Sequence, residues 1–287
     1  MYLGVLLLFL VALGSLRGPE TGTPAFGPQV AIVELEGVIL DVEDLVADLK
    51  RHRENPLVRA VVVRINSPGG VVGPTQEVHQ ALLRLREAKK PVVASLGAIA
   101  ASGGYYIAVA ADQIYANPGT LTGSIGVVMQ MANFGPLLKK VGVDYVVVKA
   151  GEFKDIGNMS RPMSPEERRV LQTLLDDVHA QFIKAVADGR KLDVADVTRF
   201  ADGRIFSGQQ AKDLKMVDTL GSLEDAVNRA AVMAGLPVPP RVIPPRRRMS
   251  VFDLLRSEVR ALLPAALTAA ALTPALPTLK TPLYLMD

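Results

Sequence analysis

The sequence predicts an α/β protein in which helices cover a parallel or mixed β-sheet. Residues 58–65 and 91–96 are nearly uninterrupted apolar runs rich in valine, a pattern typical of strands buried on both faces of a sheet. Residues 73–90 lie between them and carry Val78, Leu82 and Leu85 at helical spacing. Because strands alternate with amphipathic helices, we expect the α/β class.

The same alternation supplies the other elements of the first half, whereas the second half is mainly helical. Strands are predicted at residues 30–40, 113–116, 126–131 and 145–148, and helices at residues 41–53, 102–111 and 134–141. A long helix is predicted over residues 165–188, because Ser164 and Glu167 can form a capping box around Pro165. Shorter helices are predicted at residues 194–200, 208–214 and 223–234.

The two ends of the chain differ from this central part. Residues 1–17 are almost entirely apolar up to Arg17, and we interpret them as a membrane anchor or a secretory signal, with a buried helix as the third alternative. Residues 18–28 predict a linker, which leaves 29–235 as the globular domain. Residues 236–287 form a Pro-rich basic linker and an apolar tail, either disordered or in contact with a membrane or partner. We expect N-terminal anchoring, with the domain on the extracytoplasmic side.

The composition argues against several kinds of chemistry. The net charge is only +3 and the basic residues are not clustered with aromatic ones, so nucleic acid is not an expected partner. The absence of cysteine removes thiolate catalysis, disulfides and cysteine-based zinc sites. His52, His79 and His179 lack the spacing of metal ligands, and we expect neither a metal nor another cofactor.

Two glycine-rich segments follow predicted strands and could form a catalytic centre. Residues 66–70 read NSPGG, and glycines at the end of a strand let backbone N–H groups turn towards an oxyanion, although an ordinary turn uses the same residues. Residues 100–106 read AASGGYY, which places Ser102 at the start of a helix among small residues. A plain helix cap is the alternative role for Ser102.

A nucleophilic serine needs a base, and the sequence favours lysine over histidine for that role. No histidine lies between His79 and His179, and His79 has the surroundings of a surface residue. A lysine can act as a base when burial lowers its pKa. Lys154 is the candidate, because Phe153 and Ile156 beside it could exclude water; a solvated surface lysine is the alternative.

Four motifs in order make the chain resemble the signal peptide peptidase A (SppA) family of Ser–Lys proteases: INSPGG, AASGGYYIA, LTGSIGVV and GEFKDIGNMSRPMSPEE. The likeness covers roughly residues 30–235, and the single copy of the motifs resembles the short form of the family. The resemblance implies the crotonase/ClpP-like α/β fold, a spiral of β-β-α units, here with a helical C-terminal extension.

The resemblance also implies roles for individual residues. Ser102 would attack the scissile carbonyl, Lys154 would accept its proton, and Ser124 would orient the lysine amine. The backbone N–H groups of Gly69 and Gly103 would form the oxyanion hole. The family further implies a membrane-associated ring of identical subunits, in which the serine of one subunit meets the lysine of the next.

The expected function is therefore that of a membrane-associated serine endopeptidase that degrades cleaved signal peptides and similar extended apolar peptides. A stomatin-partner-type membrane protease shares the Ser–Lys dyad and is the nearest alternative, and a catalytically inactive membrane scaffold would keep the fold alone. An acyl-CoA enzyme of the crotonase type needs no serine at the helix start, and a ClpP-like Ser-His-Asp peptidase needs a histidine soon after Ser102, where none occurs. We also expect the apolar tail to mimic a substrate and enter an active site.

Overall fold

A computed structural model describes residues 27–246, and the architecture is given for that range. Helices surround one eight-stranded sheet. The strands are β1 (Gln29–Glu36), β2 (Val58–Ser67), β3 (Val92–Ala101), β4 (Gln113–Ala116), β5 (Leu121–Gly123), β6 (Ile205–Ser207), β7 (Thr219–Leu220) and β8 (Val242–Ile243). The helices are α1 (Glu43–Glu54), α2 (Val72–Glu87), α3 (Gly103–Ala108), α4 (Gly135–Lys140), α5 (Pro165–Arg190), α6 (Val194–Thr198), α7 (Gly208–Asp213) and α8 (Leu223–Met233).

Three parallel strands, β1, β2 and β3, form the centre of the sheet. In register, Val33 lies beside Val63, and Val63 lies beside Ala94. Val61 and Val62 point to opposite faces of β2 and both are fully buried, because the sheet is covered on both sides. The continuous valine run was therefore a correct indicator of a central parallel strand.

The strand order is branched at β3. The first part of β3 pairs with β4, where Val93 lies opposite Gln113, and its last part pairs with β5, where Ile99 lies opposite Leu121. Beyond these, β7 pairs in parallel with β4, and β6 pairs antiparallel with β5. This mixed, mostly parallel sheet with helices on its faces confirms the predicted fold class. The branch also carries the end of β3 away from β4 and beside β5.

The predicted helices are present with small shifts of their ends. Helix α2 buries Val78, Leu82 and Leu85, as its helical spacing predicts. Helix α5 begins with the predicted capping box: the Ser164 hydroxyl accepts a hydrogen bond from the Glu167 N–H at 3.1 Å, and the Glu167 carboxylate accepts one from the Ser164 N–H at 2.8 Å. The sequence signal for the start of α5 is therefore confirmed in atomic detail.

Two predicted strands are wrong. Residues 126–131 and 145–148 pair with no strand of the described chain, and Val146 and Val148 are 82% and 95% exposed. Their apolar residues satisfy a strand pattern, but a strand also needs a partner for its backbone groups. The sheet contains four strands that were not predicted, β5 to β8. Each has only two or three residues, too few to give a periodic signal.

Strand β8 lies in the segment that was predicted only as a Pro-rich linker. Its residues Val242 and Ile243 pair in parallel with Val30 and Ala31 of β1 and form an edge of the sheet. Prolines are tolerated beside an edge strand because one side of that strand makes no ladder hydrogen bonds. Strand β8 thus belongs to the same compact unit as the rest of the sheet.

The predictions for the two ends of the chain lie largely outside the described residues. These are the apolar segment 1–17, most of the following linker, and the tail after residue 246 with its expected entry into an active site. Between residues 27 and 246, no helix is both long enough and apolar enough to cross a membrane.

Candidate active site

Ser102 lies at the sharp junction where β3 ends at Ala101 and α3 begins at Gly103. Its backbone has φ +51° and ψ −122°, a region that residues with a Cβ atom rarely adopt. The Ser102 N–H donates to the carbonyl oxygen of Gly123 at 2.8 Å, and the Ser102 carbonyl accepts from the N–H of Tyr106 at 2.9 Å. A serine held in a strained strand-to-helix turn has the geometry of a nucleophile elbow.

Glycine backbone packs directly against this elbow. A Cβ atom on Gly103 would lie 2.7 Å from the Thr75 hydroxyl oxygen, and one on Gly104 would lie 2.9 Å from the Ser67 carbonyl oxygen. A Cβ atom on Gly69, which has φ +108°, would lie 2.8 Å from the Gly103 nitrogen. Contacts this short leave room only for glycine, so the two glycine-rich motifs meet because neither has side chains at these positions.

The two predicted oxyanion-hole groups differ in their hydrogen bonds. Gly103 is the first residue of α3, so its N–H has no acceptor within the helix. The N–H of Gly69 donates to the Ser67 hydroxyl oxygen at 3.1 Å, and the Gly69 carbonyl accepts from the Ile39 N–H at 2.9 Å. Gly103 therefore presents a donor beside Ser102, whereas the Gly69 donor is engaged in this conformation.

Ser124 follows the end of β5 and also has an unusual backbone, with φ +52° directly after Gly123 at φ +84°. Its N–H donates to the carbonyl oxygen of Arg204 at 2.8 Å. The ladder between β3 and β5 places Gly123 opposite Ala101. Ser102 follows Ala101 and Ser124 follows Gly123, so the two serines leave the sheet side by side. The branch in the sheet is what brings these two serines to one place.

A cleft of about 640 Å³ contains both serines. Small residues form one part of its lining, namely Gly70, Ser102, Gly103 and Ser124. Apolar side chains form a second part, namely Val72, Val127, Val128, Met129, Leu175, Val178 and Phe182. Polar side chains complete it, among them Gln76, Gln172, Asp176, His179 and Asp202. Hydrogen bonds from Arg204 lower the pKa of Asp202 to about 2, so this carboxylate stays charged at neutral pH.

Lys154 does not line this cleft in its own chain. It lies in an exposed turn between Gly151 and Gly157, which have φ +100° and +80°. Its N–H donates to the carbonyl oxygen of Gly151 at 3.3 Å. The structure of the single chain thus brings Ser102, Ser124 and Gly103 together and leaves Lys154 outside, so the dyad stays a prediction.

The assignment of His79 to the surface is wrong. Its ring is half-buried and stands edge-on to Tyr106, with ring centroids 4.9 Å apart. Burial, with a smaller contribution from the charge of Arg86, lowers the pKa of His79 to about 4. His79 borders a neighbouring groove rather than the Ser102 cleft.

His179 is the cleft residue that the sequence argument missed. Its Nε2 atom lies 3.2 Å from the carbonyl oxygen of Ile125, the residue after Ser124. The available signal was the spacing on α5, since Gln172, Asp176 and His179 repeat on one helical face and all line the cleft. That face was predicted only as part of a long helix.

Comparison with known proteins agrees with this architecture. Peptidase family S49 matches residues 84–237, more than half of the chain. A protein of Synechocystis sp. named "Putative protease slr0021" is 48% identical, over 72% of this chain and 75% of that protein. Protease 4 of Salmonella typhi is 35% identical over 88% of this chain, and the "Putative signal peptide peptidase SppA" of Enterococcus faecium is 36% identical over 65% of it.

The matches cover different shares of these relatives. They span 44% of the Salmonella protein and 54% of the Enterococcus protein, so this chain covers about half the length of each. The S49 match contains Ser102, Ser124 and Lys154 and begins after Gly69. A ClpP-like α/β sheet with a serine elbow, together with these matches, shows that the chain is a protease and belongs to peptidase family S49, the family of SppA.

Proposed function

We propose that this protease is a membrane-associated serine endopeptidase that cleaves signal-peptide remnants and similar extended apolar peptides, with Ser102 as nucleophile and Lys154 as base. The observation that carries the proposal is the strained Ser102 elbow, which opens onto a cleft lined by glycine backbone and apolar side chains. Family membership supports peptide hydrolysis, and the elbow supports the identity of the nucleophile.

The reaction would proceed through a covalent acyl-serine. The Ser102 oxygen attacks the carbonyl carbon of the scissile bond while the Lys154 amine takes the hydroxyl proton. The tetrahedral intermediate then collapses, the C–N bond breaks, and the lysine passes the proton to the departing amine. A water molecule attacks the acyl-serine, gives a proton to the lysine, and releases the acid product; the proton returns to the Ser102 oxygen.

Negative charge develops on the carbonyl oxygen in both steps, and backbone donors would stabilise it. The Gly103 N–H is directed to that role by its place at the start of α3. Gly69 packs against Ser102, but its N–H would serve as the second donor only after its hydrogen bond to the Ser67 hydroxyl opens. The second donor is thus expected to form as substrate binds.

In this proposal Lys154 reaches the cleft of a second copy of the chain. It is exposed on its own chain, and residues 141–148 before its turn expose apolar side chains, with Val141 at 63%, Val146 at 82% and Val148 at 95%. Apolar surface of this extent is typical of a protein interface. A neighbouring copy would cover it, and the apolar cleft lining would favour the neutral amine that a lysine base needs.

Ser124 would orient the lysine amine. Its backbone is held by the hydrogen bond to Arg204, and it lines the same cleft as Ser102. A hydroxyl can accept a hydrogen bond from an amine and so direct the nitrogen lone pair towards the nucleophile. This role places Ser124 between the two members of the dyad.

The substrate class follows from the lining and from the named relatives. Apolar side chains such as Val72, Val127 and Leu175 line the cleft and favour apolar peptides. A relative carries the name signal peptide peptidase. The apolar segment 1–17 would hold the enzyme at the membrane, where such peptides remain after cleavage.

A fluorophosphonate probe tests the dyad, because it labels only an activated serine. We expect labelling of the wild type and none of Ser102→Ala or Lys154→Ala. Co-expression of these two variants should restore labelling, since an intact Ser102 of one copy then meets an intact Lys154 of another. Undiminished labelling of Lys154→Ala would exclude Lys154 as the base, and failed recovery in mixed assemblies would place the dyad within one chain. A wild type that is never labelled would instead indicate a scaffold.

His179 is the competing base, because it lines the same cleft as Ser102. Its Nε2 contacts the Ile125 carbonyl oxygen, so that nitrogen carries the proton and only Nδ1 could accept another. The substitution His179→Gln removes the base and retains an N–H donor. We expect its labelling to stay near that of the wild type, and a loss as complete as in Lys154→Ala would favour histidine.

A further inference from the structure

The Lys154 turn has little regular structure of its own. Between Lys149 and α5, short backbone hydrogen bonds close successive turns, such as that from the Asn158 N–H to the Asp155 carbonyl oxygen at 3.0 Å. Asn158 in turn accepts hydrogen bonds from both the N–H and the hydroxyl of Ser160 at 2.8 Å. No strand ladder supports the segment, and one backbone hydrogen bond, from the Phe134 N–H to the Met159 carbonyl oxygen at 2.6 Å, joins it to the start of α4. The rest of its support comes from side-chain interactions.

Four alternating charges provide these interactions. The Lys149 ammonium donates to the Asp155 carboxylate, and the Arg161 guanidinium donates to the other oxygen of Asp155 from Nη2 at 3.0 Å and from Nε at 3.2 Å. Arg161 also binds both oxygens of Glu167, one of them at 2.8 Å. Arg161 therefore bridges two carboxylates, an arrangement that its planar fork of donors permits and a lysine would not reproduce.

The far end of this chain of ion pairs is anchored. Glu167 is only 4% exposed and belongs to the capping box of α5, where it accepts a hydrogen bond from the Ser164 N–H. Helix α5 packs into the core through Phe182 and Val186. The network thus connects the residue next to Lys154 with the folded body of the same subunit.

The network also determines what Asp155 can bind. Hydrogen bonds from Lys149 and then Arg161 lower the pKa of Asp155 to about 2, so it is a carboxylate at any neutral pH. While both cations hold it, its charge is compensated. A released Asp155 would be an uncompensated anion one residue from Lys154 and would favour the protonated amine, which cannot act as a base.

We propose that Arg161 and Asp155 are positioning residues for the Lys154 base: the Asp155–Arg161–Glu167 ion pairs fix the Lys154 turn to α5 and, together with Lys149, keep Asp155 from pairing with Lys154. The inference rests on the proposed role of Lys154 and adds residues that touch neither substrate nor nucleophile. It predicts a defect in the chemical step rather than in substrate binding.

The test compares variants in the full-length assembly. Arg161→Gln breaks both ion pairs, and we expect kcat to fall at least about tenfold with little change in KM, because small displacements of a catalytic group cost rate more than affinity. The rate of fluorophosphonate labelling should fall with kcat. Arg161→Lys keeps the charge without the fork and should recover part of the loss. Arg169→Gln is the matched control. Arg169 pairs with Glu166 on the exposed side of α5, so this variant should keep the wild-type kcat.

Each outcome decides a different point. If Lys154→Ala abolishes labelling while Arg161→Gln keeps the wild-type kcat, the positioning role is overturned and the proposed dyad stands. If Lys154→Ala retains labelling, the proposed function itself fails. Should Arg161→Gln misfold or dissociate in size-exclusion chromatography, Asp155→Asn decides, because it leaves the pair between Arg161 and Glu167 in place; an unchanged kcat in Asp155→Asn would overturn the inference.

Discussion

The Ser102 elbow and the Lys154 turn both rely on backbone with positive φ, but they are held in opposite ways. At the elbow, a Cβ atom on Gly69 or Gly103 would collide with neighbouring atoms less than 3 Å away. At the turn, a Cβ atom on Gly151 would meet nothing nearer than the Lys154 Cβ at 4.0 Å, and one on Gly157 would meet only the flexible Met131 side chain, at 2.8 Å. Ion pairs provide much of the restraint there. The proposed nucleophile is therefore positioned by packing within one chain, whereas the proposed base is positioned largely by charge and, in the same proposal, by a second copy.

The largest expected difference between the two regions is in how much stability a single Gly→Ala substitution removes. A Cβ atom on Gly70 would lie 2.1 Å from the Ile39 carbonyl oxygen, a backbone atom of the parallel bridge beside the elbow. We expect Gly70→Ala to lower the free energy of unfolding by about 3 kcal/mol or more and to abolish labelling of Ser102. Gly151→Ala should cost only about 1 kcal/mol, since it strains φ without a collision.

Guanidinium unfolding of both glycine variants measures this contrast. Equal losses of stability in Gly70→Ala and Gly151→Ala would show that the elbow is no more tightly packed than the turn, and would break the distinction drawn between them.

The second contrast separates stability from assembly. Val146 precedes the Lys154 turn and is 82% exposed, so Val146→Asp should change the unfolding free energy of the chain by no more than about 0.5 kcal/mol. If a second copy covers this surface, the substitution should nevertheless dissociate the assembly and remove labelling of Ser102. Val232→Asp on α8, at a valine that is 55% exposed, is the control and should do neither.

Sedimentation velocity and labelling, measured on the same preparations, check this prediction. A Val146→Asp protein that stays assembled and fully labelled would mean that the exposed apolar segment is not the surface that joins the copies.

The smallest effects concern pH, and the two regions should respond in different windows. Burial lowers the pKa of His79 to about 4, so the folded state resists protonation and stability should fall as the pH drops from about 6.5 to 4, by about 1 to 3 kcal/mol. Hydrogen bonds from Arg161 lower the pKa of Glu167 to about 2, so its contribution is present above the unfolded value near 4 and is lost below it.

Denaturant unfolding between pH 7 and pH 3 checks both windows. His79→Phe keeps an aromatic edge against Tyr106 and should remove the upper slope. Glu167→Gln should leave the upper slope and reduce the lower one, to which Asp155 and Asp202 also contribute. A wild-type stability that is flat from pH 6.5 to 4 would contradict the half-buried, neutral state of His79.

Much of the elbow region could be predicted from the sequence, because its signals are local. The valine run of β2, the amphipathic face of α2 and the small residues around Ser102 each depend on near neighbours in the chain. The capping box of Ser164 and Glu167 is equally local. Such patterns can be recognised without knowing which other segments the element packs against.

The Lys154 region was predicted less well, because its signals depend on distant partners. Residues 145–148 have the composition of a strand, yet no strand of the described chain pairs with them. Arg161, Asp155 and Glu167 were each ordinary charged residues in the sequence, and only the folded turn brings one guanidinium between two carboxylates. The place of His179 in the cleft likewise became visible only once α5 was packed beside the residues that follow β5.

By itself the sequence determined the α/β class, the order of the main helices and strands, and a serine among small residues at a helix start, because hydrophobic period, capping and glycine content act over a few residues. The choice of Lys154 rested largely on the resemblance to a family. Only the tertiary structure decided that β3 branches to join Ser102 with Ser124, that Gly69 reaches Gly103, and that Lys154 stands apart from the cleft of its own chain. These are contacts between segments far apart in sequence, and their geometry is set by close packing, which no local pattern encodes.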